Sequence, residues 1–286
     1  MSGNEKNVQI ATVTNTDNGQ SAPEVRQDVV AVEEPMEIRV VAGPVGQRKG
    51  KSLSITMRTP GNDPDLAVGF LFAEGIIQSQ SQIENIEHCG PTADGQQVPN
   101  TVRVELVAGV EFDARRYQRH FYATSSCGVC GKASLEALEY QNLRPVESDL
   151  QVLQQTVMQL PGRLRERQTS FANTGGIHAA GLFDADGTLL SIREDVGRHN
   201  AMDKLIGDQF LNGSLPLINS AVVVSGRASF ELLQKALAAG IPIFIAVGAP
   251  SSLAIELAEQ YGITLIGFAS QNRFNIYSGG DRLLSQ

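Results

Sequence analysis

Short, mainly apolar segments alternate with longer amphipathic segments through the second half of the chain. The short segments lie between turn residues, which predicts buried β-strands, and the longer segments carry apolar positions at helical spacing, which predicts α-helices. In chain order they are residues 198–210 (helix), 221–224 (strand), 229–239 (helix), 243–247 (strand), 251–261 (helix) and 264–268 (strand). Strands and helices that alternate in this way build a largely parallel sheet covered on both faces.

A helical connection and a hairpin are predicted ahead of this alternation. Ser148 is expected to cap a helix that Pro161-Gly162 breaks, and a second, basic helical piece follows over residues 163–171. Strands at residues 177–183 and 188–192 flank a turn of hairpin composition. The antiparallel hairpin makes the predicted sheet mixed.

The first part of the chain predicts a mobile tail and a smaller α+β unit. Residues 1–31 are polar and lack an apolar period, which is typical of a disordered tail. The next elements are strands at residues 37–41, 52–58 and 101–107 and a helix over residues 64–73, after a turn at Pro60. Leu53, Ile55 and Met57 are expected to share one face of the second strand, and His88 and Cys89 to lie in a loop. We therefore divide the chain into residues 1–31, 32–124 and 125–286.

Composition excludes some classes of function. The chain has 286 residues, of which 42% are hydrophobic, and a formal net charge of −8. This charge disfavours nucleic-acid binding through bulk electrostatics, although a local basic cluster could still bind a phosphorylated cofactor. We predict no membrane span and no signal peptide, and hence a cytoplasmic protein in a reducing compartment.

Two of the three cysteines lie in one glycine-bracketed turn, Ser125-Ser126-Cys127-Gly128-Val129-Cys130-Gly131-Lys132. A helix is expected directly after it, over residues 133–140. The partial positive charge of a helix N-terminus, with Lys132, favours thiolate over thiol. We therefore expect the chemistry of the protein at this turn.

The residues alone leave four interpretations of the C-x-x-C motif open: half of a structural zinc site, a structural disulfide, a thioredoxin-like dithiol, or carriage of a sulfur atom on one cysteine. A zinc site needs two more ligands, and the candidates occur singly along the chain. They are His88, Cys89, His120, His178 and His199. A disulfide is disfavoured by the predicted reducing compartment and the odd number of cysteines. No metal site is predicted.

Polar segments follow the predicted strands where ligands bind in sheets of this type. Ser225-Gly226-Arg227 is a natural anion site, or else an ordinary tight turn with a surface arginine. Residues 193–200 concentrate two arginines, two acids and His199, as a ligand site or as structural salt bridges. Residues 268–273 form a polar loop that ends in Arg273.

A superficial likeness to zinc-dependent deaminases lies at residues 174–180. His178 could stand for the histidine of the H-x-E motif in those enzymes, but Ala180 occupies the place of the glutamate. The C-x-x-C also precedes the histidine instead of following it. A deaminase-shaped sheet that lacks the zinc chemistry fits these residues better than an active deaminase does.

Taken together, these motifs resemble the formate dehydrogenase accessory sulfurtransferases, the FdhD family. The resemblance runs from about Met36 to Tyr277. It rests on Thr59-Pro60-Gly61-Asn62-Asp63, Gly69-Phe70-Leu71, the Ser125 to Lys132 turn, the segments 174–180 and 193–204, Ser225-Gly226-Arg227 and the loop 268–273.

This resemblance implies a fold and a function. The fold is a cytidine-deaminase-like three-layer α/β/α mixed sheet with a smaller N-terminal α+β domain, usually in a homodimer. The function is to accept persulfide sulfur from a cysteine desulfurase and pass it to the molybdenum bis(molybdopterin guanine dinucleotide) cofactor before insertion into apo-formate dehydrogenase. Guanine nucleotides such as GDP would then bind as fragments of the cofactor.

The resemblance also implies site residues. Cys127 corresponds to the persulfide-bearing cysteine, with Cys130 as the thiol that assists release. The cofactor-binding loop corresponds to Phe268, Ala269, Ser270, Gln271, Asn272 and Arg273. From their placement at strand ends, and not from the resemblance, we add Arg227 and Arg198 as phosphate donors, and we include His199 among the cofactor-binding residues. Ser270 stands where the family pattern leads us to expect a basic residue. Two other functions stay open, a non-catalytic chaperone for the cofactor and a zinc-dependent deaminase-like hydrolase.

Overall fold

A computed structural model describes residues 3–16, 19–90, 99–110, 112 and 143–285 of the chain. Its strands are β1 (Glu5–Thr12), β2 (Asn15–Thr16), β3 (Gly19–Gln20), β4 (Glu24–Ala31), β5 (Glu34–Ala42), β6 (Lys49–Arg58), β7 (Ile83–Cys89), β8 (Thr101–Leu106), β9 (Val152–Leu153), β10 (His178–Phe183), β11 (Leu189–Asp195), β12 (Ala221–Val224), β13 (Ile243–Ala246), β14 (Thr264–Gly267), β15 (Asn275–Ser278) and β16 (Leu283–Leu284). Its α-helices are α1 (Asp63–Ala73), α2 (Gln154–Arg167), α3 (Thr169–Thr174), α4 (Arg198–Leu211), α5 (Phe230–Ala238) and α6 (Ser252–Tyr261).

The larger sheet has six strands in the order β11-β10-β12-β13-β14-β15. Strands β12, β13 and β14 run parallel to one another, as predicted. The other neighbouring pairs are antiparallel, so the sheet is mixed but not largely parallel. The reason is the predicted hairpin, β10 and β11, which pairs through β10 with β12 and continues the sheet with antiparallel strands.

Helices cover both faces of this sheet. One buried cluster joins α4, α5 and α6 to side chains such as Val222 and Phe244. A second cluster packs Leu160 and Leu164 of α2 against the opposite face, where Val223 lies. Because neighbouring strand residues point to opposite faces, Val222 and Val223 belong to different layers. The predicted mixed α/β architecture is confirmed, and the finer likeness to cytidine deaminases stays a prediction.

A second sheet of four strands, in the order β6-β5-β8-β7, forms with α1 the core of the predicted α+β unit. Alternate residues of β8, including Val102 and Val104, are fully buried against α1. The predicted strands at residues 37–41, 52–58 and 101–107 and the helix after Pro60 are therefore confirmed. The predicted domain boundary between residues 124 and 125 lies outside the described residues.

A β-bulge in β6 changes the predicted face of this strand. Ile38 pairs with Ser54 and Arg39 with Ser52, which leaves Leu53 without a partner in the register. Leu53 is buried, whereas Ile55 and Met57 are 70% and 47% exposed. The prediction that these three apolar residues share a face is wrong, because the extra residue of a bulge shifts the alternation.

The loop predicted around His88 and Cys89 is in fact strand β7. His88 pairs with Val102 and Cys89 with Thr101, antiparallel to β8. The Nε2 atom of His88 lies 3.2 Å from a carboxylate oxygen of Asp63. The polar residues of β7 do not form an apolar pattern that would predict a strand. Such a pattern is not needed here, because β7 is an edge strand held mainly by its backbone hydrogen bonds to β8.

The tail predicted over residues 1–31 contains a β-ladder. Strands β1 and β4 pair antiparallel over eight residues each. The base of this hairpin is fixed to α3 by the Asn4 amide, which donates to the Ser170 hydroxyl at 3.2 Å, and the Asn173 amide, which donates to Glu5 at 3.0 Å. The prediction of a tail without structure is wrong for both strands, because backbone pairing does not require the apolar period that these residues lack.

The break predicted at Pro161-Gly162 is also wrong. Helix α2 continues through Pro161 to Arg167, and it begins at Gln154 instead of near Ser148. The buried side chains of Leu160 and Leu164 hold both sides of the proline against the sheet, so packing overrides the local signal. No helix in the described ranges is long and apolar enough to cross a membrane.

Candidate functional site at one edge of the six-stranded sheet

Several predicted site residues meet at one edge of the larger sheet. The carboxyl ends of β12, β13 and β14 lie there because these strands are parallel. Strand β10 runs the opposite way, so its first residue, His178, lies at the same edge, opposite Asp195 at the end of β11. Helix α4 begins three residues after Asp195, with Arg198 and His199. The sheet order therefore places segments distant in sequence side by side.

Backbone hydrogen bonds join the three turns that follow the parallel strands. The Gly248 amide donates to the Gly226 carbonyl at 2.9 Å, and the Phe268 amide donates to the Gly248 carbonyl at 3.1 Å. A Cβ atom on Gly248 would lie 3.0 to 3.1 Å from atoms of Arg227 and Gly226. Gly248 thus permits the close approach of these turns. Gly248 is not part of any predicted motif, although a glycine directly after a predicted buried strand is a usable signal.

The loop at residues 268–273 follows β14 and has a fixed shape. The amide and hydroxyl of Ser270 both donate to the Arg273 carbonyl, at 2.9 and 3.0 Å. Phe268 has a φ of 52° and is 42% exposed, while Ala269 is buried. A bulky residue with positive φ is rare and is retained where surrounding contacts impose it. The hydroxyl at position 270 therefore closes a turn, and it supplies none of the charge expected there.

Two arginines supply charge to this edge. Arg227 and Arg273 are exposed, and within the described ranges neither forms an ion pair. An exposed guanidinium offers several donors in a planar fork that suits phosphate or carboxylate oxygens. Gln271 approaches α2, where its amide nitrogen lies 3.0 Å from the position of a Cβ on Gly162. Of the predicted loop, Phe268 and residues 270–273 are exposed, and Ala269 is buried.

The charged cluster at residues 193–200 divides into a structural part and a part at the edge. Arg193 pairs with Asp65 at 3.0 Å and with Asp208 at 2.6 Å. The Glu194 carboxylate accepts the backbone amides of Ser170 and Phe171, each at 3.0 Å. The interpretation as structural bridging therefore holds for Arg193 and Glu194.

Asp195 is fully buried and joins the two sheets. Its carboxylate accepts from the Lys204 ammonium at 2.7 Å, from the Thr59 amide at 3.1 Å and from the Gly197 amide at 2.8 Å. Lys204 also donates to the Thr59 carbonyl at 2.8 Å. These bonds fix the turn that carries Arg198 and tie it to the end of β6. Asp195 is a positioning residue and does not face the edge.

His199, in the first turn of α4, contacts residues at the start of α5. Its Nε2 atom is 3.2 Å from the Ser229 hydroxyl and 3.8 Å from a carboxylate oxygen of Glu231. Burial, reinforced by the positive charges of Lys235 and Arg198, lowers the pKa of His199 to about 4. The imidazole is therefore neutral at pH 7 and can exchange hydrogen bonds, but it adds no positive charge to the site.

His178 also lies at this edge of the sheet, although it is not among the predicted cofactor-binding residues. Its Nδ1 atom lies 3.4 Å from the Ser225 hydroxyl, and a Cβ on Gly226 would touch the ring at 3.4 to 3.5 Å. Burial and the charge of Arg198 lower the pKa of His178. The sequence carried a weak signal, because His178 stood out only through its failed likeness to a zinc ligand.

Cys127 and Cys130 lie outside the described residues, so the predicted catalytic pair stays a prediction. Cys89, on β7, is a half-buried free thiol. No group of three side chains able to ligate a metal occurs in the part of the chain that the structure describes.

Fold and site together define a mixed α/β protein with an arginine-bearing sheet edge. The model of the FdhD/NarQ family matches residues 31–284. A relative in Streptomyces coelicolor named "Sulfur carrier protein FdhD" is 48% identical, over 92% of this chain and 91% of its own length. A relative of the same name in Saccharolobus solfataricus is 42% identical, over 90% and 91%. The chain belongs to the FdhD/NarQ family.

A solved structure has a similar fold. It is the crystal structure of a putative formate dehydrogenase accessory protein from Desulfotalea psychrophila, with a TM-score of 0.71. The alignment covers 97% of this chain and 99% of that one, at 24% sequence identity.

Proposed function

We propose that this chain is a cytoplasmic sulfur carrier that serves the maturation of formate dehydrogenase. The observation that carries the proposal is the match, over about nine-tenths of the chain, to relatives named as sulfur carrier proteins. Cys127 and Cys130 supply the thiols that such a carrier needs, and the arginines of the sheet edge supply anion donors. The donor is a cysteine desulfurase, and the recipient is the molybdenum cofactor before its insertion into the apo-enzyme.

The first step loads sulfur on Cys127. The Cys127 thiolate attacks the terminal sulfur of the desulfurase persulfide, and a new sulfur–sulfur bond forms as the old one breaks. The desulfurase cysteine leaves as a thiolate, and Cys127 becomes a persulfide. Atoms and electrons balance without an external oxidant.

The second step releases the sulfur. The Cys130 thiolate attacks the Cys127 sulfur that carries the persulfide, and hydrosulfide departs while a Cys127–Cys130 disulfide forms. The transferred sulfur is reduced and the two cysteines are oxidised. A cellular dithiol then reduces the disulfide and restores the carrier.

The sheet edge would hold the substrate cofactor, bis(molybdopterin guanine dinucleotide) molybdenum, through its phosphates. Arg227 and Arg273 are exposed beside the turn amides, and charge-assisted bonds from arginine to phosphate are among the strongest hydrogen bonds in proteins. The guanine dinucleotide parts of the cofactor make GDP a suitable probe. We further propose a homodimer, as the family resemblance implies.

The direct experiment is mass spectrometry after incubation with a cysteine desulfurase and cysteine. The peptide that contains Cys127 should gain about 32 Da, the mass of one sulfur atom, and Cys127→Ala should remove this gain. Loading that persists in Cys127→Ala but vanishes in Cys130→Ala would reverse the two assignments.

A complementation test separates the sulfur carrier from a cofactor chaperone. Formate dehydrogenase activation should be lost in cells that carry Cys127→Ala. Retained activation would contradict the sulfur-carrier proposal and favour a non-catalytic chaperone. Stoichiometric zinc in the purified protein would instead favour a deaminase-like hydrolase.

A further inference from the structure

We propose that His178 is a further ligand-binding residue of the sheet edge, which donates a hydrogen bond to an anionic oxygen of the ligand beside Arg198. The inference rests on the proposed function, because it assigns a contact within the same nucleotide-binding edge. It adds a residue from the start of β10, which is distant in sequence from residues 227 and 268–273.

The Ser225 hydroxyl lies beside one nitrogen of His178. Its oxygen accepts the Ala179 amide at 2.9 Å, and the Nδ1 atom of His178 lies 3.4 Å away. In this proposal the serine proton is donated to Nδ1. A neutral imidazole has one N–H, and the nitrogen that accepts the serine proton cannot carry it. With this assignment His178 is protonated on Nε2, which leaves an N–H donor for a ligand.

Arg198 provides a second, unsatisfied donor next to His178. Its Nε atom is buried and has no hydrogen-bond partner in the ranges that the structure describes. Buried donors are nearly always paired with protein, water or ligand, because an unpaired buried donor is costly. A Cβ on Gly226 would lie 3.4 Å from His178 Nδ1 and 3.9 Å from Arg198 Cδ. Both side chains therefore flank the same residue of the turn.

The chemistry of this pair favours phosphate over a neutral ligand. A guanidinium beside a neutral imidazole combines one positive charge with two kinds of N–H donor, which suits oxygens of a nucleotide phosphate. The charge of Arg198 also keeps His178 neutral, since Arg198 is one cause of its lowered pKa. His178 thus contributes a hydrogen bond without adding charge.

Calorimetry with GDP and with inorganic pyrophosphate tests the contact. His178→Ala should weaken both ligands by about tenfold, as expected for one hydrogen bond to a charged group. His178→Gln should retain most of the affinity, because a glutamine amide can occupy the place of Nε2–H. His178→Asn, whose shorter amide replaces Nδ1 instead, should behave like His178→Ala. His88→Gln, in the other sheet, is the matched control and should leave both affinities unchanged.

Nuclear magnetic resonance reports the tautomer of each imidazole and the position of its Nε2 signal. Addition of ligand would not shift the His178 signal if His178 had a purely structural role. The chain has four histidines, so the His178 signals can be assigned by their loss in His178→Gln. We expect the Nε2–H tautomer at pH 7 and a shift of the Nε2 signal when GDP or pyrophosphate is added. An Nδ1–H tautomer, or an Nε2 signal unmoved at saturation, would overturn the inference.

The outcomes separate this inference from the proposed function. Wild-type GDP affinity in a folded His178→Ala, or unchanged pyrophosphate affinity, would refute the His178 contact alone. Equal losses in the Gln, Asn and Ala variants would assign His178 a structural role and also refute it. If the unsubstituted protein binds neither ligand, the proposed cofactor site and this inference both fail, whereas sulfur loading of Cys127 is unaffected by that result.

Discussion

Gly69 on α1 and Gly207 on α4 face each other where the two helices cross. A Cβ atom on Gly69 would lie 1.9 Å from the Asp203 carbonyl oxygen, and one on Gly207 would lie 1.8 Å from the Asp65 carbonyl oxygen. Real carbon and oxygen atoms cannot approach so closely. The backbones of α1, from the four-stranded unit, and α4, from the six-stranded unit, therefore touch directly. This contact sets the position of α4, whose first residues carry the site.

Gly207→Ala should destabilise the protein. Alanine gains about 1 kcal/mol over glycine in helix propensity, but overpacking at the crossing costs typically about 1–3 kcal/mol, and backbone overlap this severe lies at the upper end. Urea unfolding should show a net loss. Gly162→Ala is the matched control in α2, since its Cβ would meet only the end of the flexible Gln271 side chain. Equal stability of the two variants would contradict the crossing.

Lys204→Met should cost about 3–5 kcal/mol of unfolding free energy, because it leaves the buried Asp195 carboxylate without its cation. The charge-neutral double variant Asp195→Asn with Lys204→Met should recover part of this loss. Arg39→Ala is the control, because it breaks a partly solvent-accessible pair with Glu37 and should change stability by only about 1 kcal/mol or less. A loss no larger than that of Arg39→Ala would show that the pair does not join the units.

Arg273→Ala should weaken GDP binding by about tenfold or more, since a hydrogen bond to a charged group contributes about 1.5–3 kcal/mol. Sulfur loading on Cys127 should be retained, because the two steps use different residues. Calorimetry measures the first effect and mass spectrometry the second. Unchanged GDP affinity would remove Arg273 from the site, and loss of both functions would point to misfolding.

His199 should make the folded protein less stable as the pH falls from about 6.5 to about 4. Its pKa is about 4 in the folded protein, against an ordinary value of 6.5, so in this window only the unfolded chain binds the proton. Asp203 acts in the opposite sense, because burial raises its pKa from 3.8 to about 6 and its contribution falls as the pH rises.

The two contributions oppose each other over nearly the same window, so the variant His199→Gln isolates one of them. Its unfolding free energy, minus that of the unsubstituted protein, should increase steadily as the pH is lowered from 6.5 to 4. Urea unfolding at several pH values measures this difference. A difference that does not vary with pH would show that His199 titrates alike in both states.

Cys130→Ala should load sulfur on Cys127 but fail to release it as hydrosulfide, because the attacking thiol is missing. After the desulfurase and cysteine are removed, the +32 Da species should therefore last longer in Cys130→Ala than in the unsubstituted protein, as mass spectrometry over time would show. Cys89→Ala should load and release sulfur normally, since Cys89 lies in the backbone ladder of β7 and is far from the C-x-x-C motif in the sequence. Loss of transfer in a folded Cys89→Ala would contradict this separation.

The sequence by itself determined the elements with a strong apolar pattern. Strand β8 follows from alternation, and the helices between β12 and β14 follow from helical spacing, because burial of one face requires that spacing. Helix α1 and strands β12 to β14 follow from short apolar runs, because most or all of their residues are buried. The C-x-x-C turn and the arginines after strands were likewise visible as motifs. Elements held by backbone pairing or by distant packing were not, as β1, β4, β7 and the unbroken α2 show.

Only the tertiary structure decided which of these residues meet. Pairing of β10 with β12 brings His178 beside the end of β12, and no local pattern specifies the neighbour of a strand. The same holds for Asp195, which the sequence offers as one more charge and the fold buries beneath Thr59 and Lys204. Spacing along a chain reports which face of an element is buried. The partner of that face depends on contacts between residues distant in sequence, 47 positions apart for His178 and Ser225 and 136 for Asp195 and Thr59, and those exist only once the strands and the two units have packed.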